Sequence, residues 1–196
     1  MVLQKVFIYL SMRIYFGVLF MESADLCELV RKHLYCSSAL ERLVAEALKL
    51  FSERLRGVDT YSQLVLATVG IESERHAQIL EMVAKSLNLY KEYGDCREFV
   101  GEPWRAVEAM VEELRSGREV NYAELLEKQR WVEEAVGEET YHKILLPLVS
   151  GTARELCIET QASEAVKKIL DKIVEDERFH EKAVKEAMQR LTKKHT

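Results

Sequence analysis

EAVKKILDKIVEDERFHEKAVKEAMQRL, residues 164–191, is the stretch that decides the fold. Val166, Ile169, Ile173, Val184 and Leu191 recur at helical spacing and form one apolar stripe. Glu177 and His180 fall on that same stripe, where core residues belong. Side chains three apart on a helix are neighbours, so this carboxylate and imidazole can point at one spot. A buried carboxylate without a partner is costly, and a metal ion is one of the few partners that satisfies both groups together.

The preceding long helical segment, residues 121–159, repeats the pattern. It opens at Asn121-x-x-Glu124, which resembles a capping box, and carries a kink signal at Pro147. Val132, Ala135, Glu139, His142, Leu146 and Val149 share one stripe, so Glu139 and His142 form a second Glu-x-x-His at a helix centre. One such motif is common by chance in a Glu-rich helical chain, where a surface salt bridge explains it. Two central copies on apolar stripes favour a metal site instead. Their combined donors suit iron or manganese and would also accept zinc.

A second helix over residues 60–89 places Val69, Glu72, His76, Ile79 and Val83 on one face. The residue three before His76 is Ser73, while Glu72 stands four before it. Glu72 can therefore reach a metal held by His76, or hold the imidazole from behind, and a core histidine with an intrahelical partner is the plain alternative. The first helix, residues 24–56, offers Glu41, Glu46 and Glu53. If it starts near Ala24, Glu41 is central and a ligand candidate. If it starts at Ser38, Ser38-x-x-Glu41 is a capping box and Glu46 takes that place.

Gly57-Val58-Asp59 is a short turn between the first two helices, which makes them antiparallel neighbours. Residues 90–120 form a long connection with one short helix at 104–114. The expected fold is all-α, a four-helix bundle of two antiparallel pairs joined by one crossover. A chain of 196 residues, 48% hydrophobic and 31% charged, supports one core, which we place over residues 21–196. Residues 1–20 form an apolar extension of uncertain role, too short and too charged at Lys5 and Arg13 to span a membrane, and without a convincing signal-peptide cleavage site. A soluble cytoplasmic protein is expected. The net charge of −5 is spread in mixed sign, with no basic stripe for nucleic acid. Cys27, Cys36, Cys96 and Cys157 contain no C-x-x-C pair, which excludes a zinc ribbon or a rubredoxin-type iron site. Few Asn and many Glu, Lys and Arg match the bias of thermophiles, in which intracellular disulfides occur.

On these helices and motifs the chain resembles the ferritin-like superfamily, and within it the rubrerythrin-like and archaeal ferritin-like branch, over roughly residues 24–191. Position by position the resemblance implies the ligands Glu41, His76, Glu139 with His142, and Glu177 with His180, to which the residues themselves add Glu72. It further implies two iron ions, with manganese or zinc as substitutes, and chemistry on oxygen, peroxide or ferrous iron. A homo-oligomer and an external electron donor are expected as partners, since the chain lacks the cysteine-bound iron module of rubrerythrins. The departure is Ser73, which stands where a second-helix glutamate belongs. That departure keeps two alternatives open: a metal-binding bundle for storage or stability without turnover, and a metal-free helical interaction module.

Overall fold

The computed structural model describes residues 23–135 and 160–194. All regular structure among them is helical: α1 Ser23–Arg54, α2 Thr60–Ser86, α3 Cys96–Val100, α4 Glu102–Arg115, α5 Tyr122–Glu134 and α6 Thr160–Lys194. Among the described residues no helix is long and apolar enough to cross a membrane.

Local chemistry sets the boundaries. Gly57, with φ of +80°, turns the chain after α1. Asp59 then caps α2, accepting from the Ser62 N–H at 2.9 Å and the Ser62 hydroxyl at 2.7 Å. Asn88, in the left-handed region at φ 55°, stops α2, while the Leu89 N–H reaches back to the Ala84 carbonyl at 2.8 Å. Asn121 caps α5 as expected, accepting from the Ala123 and Glu124 N–H groups. The fork over α1 is resolved by its length. Ser38 is an interior residue whose hydroxyl accepts from Arg42, so Glu41 is no capping-box glutamate but a buried residue in mid-helix.

Helices α1 and α2 run antiparallel and close together. A Cβ at Gly70 would lie 3.1 Å from Leu48 Cβ, so glycine permits this approach. The connection then runs back along the whole of α1. It starts at Lys32, which donates to Asp95 at 2.5 Å. It ends where Arg54 donates to the Leu114 carbonyl at 2.8 Å and Phe51 stacks on Tyr122. The sequence pattern predicts one short helix in this connection; it holds two, α3 and α4, broken at Gly101 with φ +77°. A disulfide between Cys36 and Cys96 fastens α3 to α1. Helix α6 lies antiparallel to both α2 and α5, as the pairs Tyr61–Glu186, His76–Glu177 and Arg130–Glu181 record. The core between them is mostly Leu, Val and Ala with Phe51, Met110 and Ile173, and it draws buried side chains from α1, α2, α4, α5 and α6.

Two predictions concern this frame. The disulfide closes a loop spanning 60 positions. Reducing it, or making Cys36→Ser with Cys96→Ser, should lower the unfolding free energy by about 2–4 kcal/mol in urea titrations. His33 is buried edge-on to Phe99 at 4.7 Å, its Nε2 has no partner, and burial, helped by the Lys32 charge, lowers its pKa from 6.5 to about 4. The unfolded chain therefore binds a proton at His33 between about pH 6.5 and 4 that the native chain does not. Stability falls as pH drops through that window, by on the order of 3 kcal/mol at its foot. Comparing unfolding curves at pH 7 and pH 4.5, His33→Leu should show a smaller loss than the parent.

Candidate metal centre

Helices α2, α5 and α6 meet at a buried polar cluster. From α2 comes His76, from α5 Glu133, and from α6 Glu177 and His180, each no more than 2% exposed. His76 Nδ1 lies 2.9 Å from Glu177 Oε1, and His180 Nδ1 lies 3.5 Å from that oxygen and 3.6 Å from Glu133 Oε2. The ligand atoms of His76, Glu177 and His180 all fall within 4.8 Å of one another. Ligand atoms around a small cation at about 2.1 Å stand roughly 3 Å apart, so this spacing fits a metal ion. Moreover His76 Nδ1, Glu177 Oε1 and His180 Nδ1 are buried with no hydrogen bond of acceptable geometry. Three converging donors left without hydrogen bonds are what a shared cation satisfies. The cluster could hold a metal.

Both imidazoles are held from behind by a carboxylate of the opposite helix. Glu72 of α2 stands 2.9 Å from Nε2 of His180 on α6, and Asp176 of α6 stands 3.4 Å from Nε2 of His76 on α2. Carboxylates accept, so Nε2 carries the proton in each ring and Nδ1 faces the centre. Asp176 is anchored in turn by Lys172 at 2.6 Å and Arg75 at 3.5 Å. Gln129, one turn before Glu133 on α5, donates to that carboxylate.

Electrostatics follow from burial. Burial pushes the Glu177 carboxyl up, the Glu133 charge adds to it, and the pKa rises to about 8. Burial acts the same way on Glu133, but its contacts with His180, Glu177 and Gln129 outweigh it and hold this carboxyl below the usual range. His180, which burial alone would lower, is carried up to about 12 by Glu133 and Glu177. Without a metal, the site at neutral pH pairs a His180 imidazolium with the Glu133 carboxylate and keeps Glu177 protonated.

Of the residues singled out in the sequence, His76, Glu177 and His180 come together as expected. Glu72 joins them by holding His180, not His76. Glu41 is buried at the same level, since the adjacent Arg42 pairs with Glu74 at 3.9 Å and Glu81 at 2.7 Å on either side of His76. Glu139 and His142 lie outside the described residues. Motif spacing does not mark Glu133, because it favours the Glu-x-x-His six residues further on. A signal was present: Gln129 and Glu133 interrupt the buried stripe of Leu125, Leu126 and Val132, just as Glu177 and His180 interrupt theirs.

Comparison of the chain with protein-family models, with curated proteins and with solved structures finds no match.

Removing one member of the buried pair should expose its energetics. In chelator-treated protein, His180→Leu leaves the buried Glu133 carboxylate without its cationic partner and should cost about 3–5 kcal/mol. Glu133→Leu combined with His180→Leu should recover at least half of that loss in a denaturation cycle, because the orphaned charge is gone.

Proposed function

We propose that this chain is a ferritin-like metalloprotein that binds iron between its helix pairs and acts on oxygen, peroxide or ferrous iron. The observation that carries the reading is the convergence of His76 Nδ1, Glu177 Oε1 and His180 Nδ1 without hydrogen bonds in a buried core. The connectivity supports it too: α1 with α2 and α5 with α6 as antiparallel pairs, joined by one crossover along α1.

In this reading His76, His180, Glu177 and Glu133 hold the first ion, and Glu41 supplies a carboxylate from α1 for a second. Iron, when bound, supplies electrons to oxygen or peroxide. The chain's own residues bind and orient. Glu72 and Asp176 fix the rings so that Nδ1 faces inward, and Glu133 and Glu177 supply the negative charge that balances the cation. The surrounding leucines and valines keep water away. Glu177 and His180 hold protons at neutral pH that a metal must displace.

Ser73 favours a second reading. It is fully buried three residues before His76, and its hydroxyl has no partner. A serine there offers no charge for a second ion, which suits a one-ion site that binds metal without turnover.

Iron content after aerobic purification with added iron, combined with oxygen and peroxide consumption, tests both. Two ions per chain with turnover support the first reading, and one ion without turnover selects the second. Substoichiometric iron removes both and leaves a metal-free interaction module. Affinity for a divalent metal should rise with pH across neutrality, since Glu177 must lose its proton near pH 8 and His180 its Nδ1 proton. Calorimetry in buffers of different ionisation enthalpy should register proton release on binding.

A further inference from the structure

His33 Nε2 is buried on α1 without a partner, more than two turns of helix before Glu41 and the metal centre. Cys36 stands three residues after His33 on the same helix. Phe99, whose ring meets the imidazole at 4.7 Å, stands three residues after Cys96 on α3. Residues three apart on a helix share a face. The ring contact and the disulfide therefore lie side by side at the junction of α1 and α3, and the unpartnered nitrogen belongs to that junction. An unsatisfied buried polar atom is costly, and native structures keep few of them without a reason. Burial, helped by the Lys32 charge, holds the His33 pKa at about 4, so at neutral pH the ring is uncharged and one of its nitrogens accepts. A disulfide sulfur has no proton to give it. A thiol has one.

We propose that Cys36–Cys96 is a redox-active pair that exchanges with an external dithiol, and that His33 poises it by giving the reduced state a hydrogen bond the oxidised state lacks. The exchange starts at Cys96. Helix α3 has only five residues, and the ion pair that helps to tie it to α1, Lys32 with Asp95, is exposed and therefore weak. Small openings of α3 bring Cys96 to a reductant, whereas Cys36 is wholly buried on the long helix. A thiolate of the dithiol bonds to Cys96 Sγ, the Cys36–Cys96 bond breaks, and Cys36 leaves as a thiolate. The reductant's second thiol gives its proton to Cys36 and then attacks its own sulfur on Cys96, releasing a Cys96 thiolate that takes a proton from solvent. Two electrons and two protons pass to the pair, which becomes two thiols, and the dithiol becomes a disulfide. The Cys36 S–H then donates to His33 Nε2 on the same face of α1. His33 acts here as a positioning residue: it takes no part in the exchange and sets its equilibrium. Reduction also unfastens α3 from α1.

Redox titration of the folded full chain against oxidised and reduced dithiothreitol, with thiols counted by alkylation, tests the assignment. The expected result is a reversible transition at unchanged helicity. In His33→Leu the bond should be at least tenfold harder to reduce, a shift of about 30 mV to lower potential. A second measurement needs no variant: the imidazole nitrogen NMR resonances of His33 in the parent chain should shift on reduction, as Nε2 gains its partner. Equal reduction equilibria in the parent and His33→Leu overturn the proposal. So does a bond that dithiothreitol reduces only as the helices melt, which makes it a structural staple, or a His33 ring whose resonances stay in place when the bond is reduced.

Discussion

Two carboxylates and two imidazoles buried at the meeting of α2, α5 and α6 constrain the rest of this structure. Glu133, Glu177, His76 and His180 are each almost wholly removed from water. Desolvating so many polar groups is affordable only if they satisfy one another or share a cation. The helices must therefore meet at one level and in one rotation. A slip by one residue would turn Glu177 away from His76 and leave both stranded in a leucine core. The polar cluster thus acts as a register pin for helices whose apolar contacts alone would tolerate other alignments.

The crossed arms give this pin its direction. Each histidine is held by a carboxylate from the helix that faces it, Glu72 across to His180 and Asp176 across to His76. Rotation of either helix breaks both contacts. The outer carboxylates are partly exposed while the inner groups are not. Charge is arranged in layers, with lysine and arginine outside, Glu72 and Asp176 next, and the imidazoles within.

How much of this was legible in the sequence depends on the range of the interaction. Features fixed within a turn or two could be read directly: the Gly57 turn, the Asn121 cap, and the stripe that carries Glu177 and His180. Glu133 is equally legible as a polar interruption of a buried stripe, but Glu139 with His142 has the stronger motif spacing. The partners of Glu72 and Asp176 could not be read, because spacing reveals neighbours on one helix and these contacts join two. Cys36 and Cys96 stand 60 positions apart, and nothing local marks them as a pair. The start of α1 was undecidable from Ser38 alone, since a serine three before a glutamate caps a helix or sits inside one equally well.

The bond between Cys36 and Cys96 also divides the site topologically. It closes a covalent ring that contains Glu41, Ser73 and His76, whereas Glu133, Glu177 and His180 lie on chain beyond it. One wall of the centre is thereby built into a cyclised unit whose shape persists through local fluctuations. The opposite wall is held to that ring without a covalent bridge, by contacts of α6 with α2 such as Tyr61 with Glu186 and Glu72 with His180.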